Sequence, residues 1–181
     1  MTDTWLPAPP APATVLAAAS GAVSDLDDVL WAARPPTDLL AAVREAERLR
    51  SVLDRVELQV VAEIDARDAA KEEGWGSTSD FVTAASGGRK GAGRAAVALA
   101  RALDTDRRRT GDVLGLGAIS RAQAEAVVAA VDRLPVNPRL RDAAEQLLLE
   151  EARTRDASEP VDGPARSLRH HGVRARRPRP A

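Results

Sequence analysis

From Thr37 to Glu73 the chain runs without a single glycine or proline. Glycine adds backbone entropy to a helix and proline removes a donor, so their absence over this length permits one long helix. Apolar residues recur inside it at steps of three and four: Leu39, Val43, Ala46, Leu49, Leu53, Val56, Val60 and Ile64. That spacing gathers them on one face, which is expected to turn inward. Arg44, Arg48, Arg55 and Asp65 fall outside the stripe, and Glu63 and Arg67 are spaced to pair across one turn. Thr37 is placed as the cap, with Asp38 in the first turn. At 1.5 Å per residue the helix is about 50 Å long, more than a compact domain needs. The expectation is a spine for other helices or a homodimer through its length.

The rest of the chain reads the same way. Of 181 residues 37 are alanine, while Tyr is absent and Phe occurs once. A core must therefore be built from Ala, Leu and Val packed between helices, and alanine is the best helix former. No segment alternates in the manner of a strand, so the expected fold is all-α, a multi-helix domain around one long helix (about 37–73). The chain divides into a disordered Pro/Ala leader (1–13), a helical domain (14–158) and a basic Pro/Arg-rich tail (159–181).

Local signals place the shorter elements. Residues 14–19 read as a short helix stopped by Gly21. Ser24 is placed to cap a helix reaching Ala33, ahead of Pro35 and Pro36. After the long helix, Gly74 and Gly76 bracket Trp75 in a turn. Ser77 or Thr78 then caps a helix to about Ala85, and Gly87-Gly88 breaks it. A further helix spans about 90–103, with Ala92, Ala96, Leu99 and Leu103 inward. Asp112 to Leu116 forms another. Ser120 caps a helix that carries Ala122, Val127, Val128 and Val131. Pro138 opens the last one, to about Arg153, with Leu140, Ala144, Leu147 and Leu148 inward.

Several chemistries lack their residues. There is no Cys, which excludes disulfides and Cys-ligated zinc. The two histidines, His170 and His171, are adjacent in the tail with no nearby carboxylate. Asp25, Asp27 and Asp28 read as helix-start acids, and Glu57 and Glu63 as the edge of a packed face. The run 87–93 is glycine-rich, but it lacks the GK[ST] ending and the preceding strand of a phosphate loop. No catalytic residue, metal site or cofactor is therefore expected, and no enzymatic activity in the chain as it stands. No apolar run reaches the ~20 residues of a membrane span, and Met1 to Thr14 lacks the positive start of a secretory signal. A cytoplasmic location with no membrane partner is expected.

Charge provides the positive signal. The net charge is −1, yet residues 163–181 hold six arginines and no acid. Across 89–109 there are seven bases and two acids. Residues 77–103 have the layout helix, glycine turn, helix of a helix-turn-helix. Its second helix begins at Arg89 and Lys90 and carries Arg94 and Arg101, seven apart, opposite its apolar face. Arg offers a planar fork to phosphate and to guanine edges. DNA is thus the expected partner, through Arg89, Lys90, Arg94 and Arg101. The alternative is a protein-interaction or dimerisation module with no nucleic-acid contact.

Several phrases carry a resemblance. They are Arg-Glu-Ala-Glu-Arg-Leu-Arg (44–50), Glu-Gly-Trp-Gly-Ser-Thr-Ser-Asp-Phe (73–81), Leu-Ala-Arg-Ala-Leu (99–103), Gly-Ala-Ile-Ser-Arg-Ala-Gln-Ala (117–124) and Asp-Arg-Leu-Pro (132–135). In order and spacing, Leu39 to Glu151 resembles the domain of unknown function 222, an actinobacterial family usually found in front of an HNH endonuclease module. The resemblance implies a helical domain acting on or near DNA, and endonuclease activity for members with an intact C-terminal HNH module. The histidines, asparagine and CxxC pairs of that module have no counterpart here. Periodicity collapses from about Val161 into Arg/Pro/Ala text, and Arg outnumbers Lys 24 to 2. The expectation is a truncated or frameshifted remnant without its nuclease module.

Overall fold

The computed structural model describes residues 10–89 and 91–154. Residues 1–9, Lys90 and the stretch 155–181 with His170 and His171 lie outside them, and so do the expectations placed there. Among the described residues the chain is all-α: α1 (Pro12–Ser24), α2 (Pro36–Ala66), α3 (Ala69–Glu72), α4 (Thr78–Ala85), α5 (Ala92–Asp104), α6 (Arg108–Gly115), α7 (Arg121–Asp132) and α8 (Pro138–Thr154). No helix among them is long and apolar enough to cross a membrane. The chain forms two compact units, one ending at Val43 and the other beginning at Arg44.

The first unit holds α1 and two 3-10 turns, Asp25–Asp28 and Trp31–Ala33, where one helix from Ser24 to Ala33 was expected. Gly21 does not stop α1, because a glycine inside a helix costs only about 1 kcal/mol. Ser24 does not cap the next element; its Oγ donates back to Ser20 O at 3.1 Å. No side chain of α1 or of the two turns is buried.

In the second unit, consecutive helices from α4 to α8 pack on one another. Leu58, Leu103, Leu114, Leu148, Val127 and Val131 are fully buried at their centre. Alanines 96, 100, 124, 130 and 152 join them, so the helices approach closely, as the composition requires. The capping signals act as read. Ser77 Oγ accepts from Asp80 N at 3.1 Å. Ser120 and Gln123 form a reciprocal capping box at α7. Pro138 is the first residue of α8. Ala92, Ala122 and Leu140, expected inward, are exposed.

The long helix departs from its reading in three ways. It begins at Pro36, so Thr37 lies inside it and does not cap it. It ends at Ala66, and the chain reverses locally at Asp68, whose φ of 55° is left-handed. Aspartate tolerates this conformation better than most residues, so no glycine announces the break. The third departure concerns the face. The buried residues of α2 are Ser51, Leu58 and Val61, while Leu39, Val43, Leu49, Leu53 and Val60 are exposed. The inward face is mixed, because small residues elsewhere make room for its polar side chains. A methyl group on Gly111 would lie 3.1 Å from Arg55 Cζ, one on Gly115 3.2 Å from Arg55 Cγ, and one on Gly117 2.3 Å from Arg48 Cγ. Arg55 lays its guanidinium against Gly111 and its stem against Gly115, and Arg48 its stem against Gly117, which an apolar-only count of faces cannot register.

Two buried polar groups tie the bundle together. Glu145 of α8 accepts from Thr110 N at 3.0 Å and from Thr110 Oγ1 at 2.6 Å, in the first turn of α6. A carboxylate from one helix thus satisfies the open N-terminus of another. Arg107, expected to extend the basic run, is buried instead. Its guanidinium donates to Asp132 Oδ1 and to Asp106 O, each at 2.9 Å.

Candidate nucleic-acid interface

The corner between α4 and α5 is rigid for a local reason. A Cβ on Gly93 would sit 2.0 Å from Ser79 O, so only glycine allows the first turn of α5 to lie on α4. There Gly93 N donates to Thr83 Oγ1 at 3.1 Å, and Thr83 Oγ1 donates to Ser79 O at 2.7 Å. The threonine hydroxyl therefore bridges the two helices. Gly91, with φ 94°, turns the chain into α5. Glycines that weaken a helix start in the sequence are here the condition for a tight helix–turn–helix corner.

This corner presents the expected arginines. Arg94 and Arg101 are both exposed and both line a shallow cleft of about 280 Å³. Seven residues of helix separate them by about 10 Å, roughly three nucleotide steps along one strand of B-form DNA. Arg89 is exposed ahead of α5 and is not among the residues lining the cleft. The floor of the cleft brings in Lys71, Ser77 and Thr78 from α3 and the start of α4, which charge spacing along α5 did not point to.

The cleft also holds two acids. Arg101 Nε donates to Asp65 Oδ2 at 2.5 Å, across 36 residues of sequence. Lys71 Nζ donates to Asp68 Oδ1 at 2.7 Å. The Arg101 hydrogen bond holds the Asp65 carboxyl below the usual carboxylate range, against the opposing effect of its burial. Arg101 is thus shared between α2 and whatever approaches from solvent. Arg94 has no ion pair among the described residues. Asp65–Arg101 had no local signal in the sequence.

Of the run 107–109, Arg107 serves the core and Arg108 Nε donates to Asp104 O at 2.7 Å. Arg109 lines a second cleft, of about 250 Å³, with Arg153 and Glu150. Asp25, Asp27 and Asp28 are exposed in the first 3-10 turn, and among the described residues no three His, Cys, Asp or Glu are grouped to hold a metal ion.

The model of the family described as a domain of unknown function (DUF222) matches residues 40–177. No curated protein and no solved structure was found to match the chain.

Proposed function

Starting from the family of the domain of unknown function 222, to which the chain belongs, we propose that it is a DNA-associated helical module. It serves an HNH endonuclease-type protein of a bacterial cytoplasm and itself cleaves nothing. The observation that supports this reading is the pair Arg94 and Arg101, exposed on one face of α5 at a corner stiffened by Gly93. Arg89 and Lys90 precede them in sequence. Binding is directed at the phosphate backbone, since the pairing of Arg101 with Asp65 leaves Arg94 as the freest cation of the cleft.

Fluorescence anisotropy with a labelled duplex, repeated from about 50 to 200 mM salt, tests it. Arg94→Ala should weaken binding on all sequences and reduce the salt slope by about 1. Arg101→Ala should do less, because that charge is already half spent. Affinity and slope both unchanged in an Arg89→Ala, Arg94→Ala, Arg101→Ala triple variant would remove the interface.

A further inference from the structure

The exposed face of α2 repeats every seven residues. Within the second unit it comprises the exposed Ala46, Leu53 and Val60 at one heptad position and the exposed Leu49 and the half-buried Val56 at the other. Leu49, Leu53 and Val60 are 39, 41 and 45% exposed, high for large apolar side chains on an otherwise charged helix. At 100° per residue they sit on the side opposite Leu58, which is fully buried. The helix therefore has apolar residues on two faces, a mixed inner one and a more regular outer one. One closes the core; the other is laid out as a coiled-coil seam.

We infer that this seam pairs with the same seam of a second copy of the chain, in antiparallel orientation. Two features decide the occupant and its direction. The stripe is self-complementary when reversed: Leu53 then lies against Val56 of the partner subunit, and Leu49 against Val60 of the partner subunit. Charge agrees with this register. Arg50 and Glu57 flank the seam on the same side, and reversal places each beside its opposite, twice per dimer. Their side chains are 65% and 48% exposed; Arg50 holds Glu47 on its own helix, and Glu57 lies 3.7 Å from Arg121, so both can be shared with a partner. A parallel pairing would instead set Glu63 against Glu63 of the partner subunit at the next seam position, a like-charge contact. Because the core-facing side is the opposite one, pairing needs no rearrangement of the bundle.

The seam is independent of DNA binding, and its test contains no DNA. Light scattering on the full chain at high micromolar concentration and elevated salt should give the mass of two chains. Leu53→Glu and Val60→Glu should each give one chain with unchanged helical circular dichroism, since neither residue is in the core. The absence of cysteine makes orientation readable. An equimolar mixture of Leu53→Cys and Val56→Cys chains should form a mixed disulfide, and Leu53→Cys alone should not. A single-chain mass at every concentration overturns the proposal, as does a dimer that survives both glutamate variants. Efficient self-crosslinking of Leu53→Cys overturns the antiparallel arrangement.

Discussion

The two sides of α2 have nearly exchanged the roles that their composition advertises. The side with the cleaner apolar stripe, Leu49, Leu53 and Val60, faces solvent. The side that carries Ser51, Arg55 and Asp65 faces the bundle and holds Leu58 and Val61. An apolar stripe shows that a face wants a partner. It does not say whether that partner is in the same chain. Burial goes to the face that the neighbouring surfaces fit, and here glycines on and after α6 fit arginine stems.

Substitutions can break this contrast. The largest effect is expected at Leu58, fully buried at the centre of the inner face, where Leu58→Ala should cost about 2–5 kcal/mol in chemical denaturation. Gly117→Ala should follow at about 1–3 kcal/mol. Its φ is +67° and the added methyl would meet Arg48 Cγ at 2.3 Å and Arg48 O at 2.9 Å. Asp65→Asn should lower the melting temperature slightly at neutral pH by losing the ion pair with Arg101. Since that carboxyl is held below its ordinary value, its contribution is complete above about pH 4 and fades as pH falls through the folded value. Wild-type and Asp65→Asn melting curves should therefore converge on acidification. Leu53→Ala, on the outer face, should change stability by no more than about 0.5 kcal/mol at high dilution. A larger loss that appears only as concentration rises would sharpen the contrast into dimer stability; one equal to that of Leu58→Ala at every concentration would abolish it.

Legibility in the sequence followed the range of the interaction. Ser77, Ser120 and Pro138 act within one helical turn, and the elements they announce are found where they were read. Arg94 and Arg101 share a face because seven residues separate them. Arg107 and Arg108 look alike in sequence, yet one is buried against Asp132 and the other is exposed. The pairings Thr110–Glu145 and Asp65–Arg101 join residues 35 and 36 apart, and nothing in the local pattern announces either.

The sequence by itself determined that this chain is helical, where most of its helices begin, and that one long helix bears an apolar stripe at steps of three and four. Each of these depends on contacts three or four residues apart. Only the tertiary structure decided which side of that helix is core, which arginines are spent inside, and that a glycine lets α5 rest on α4. Those outcomes depend on the fit between surfaces distant in sequence, where one absent methyl group determines whether two backbones can meet.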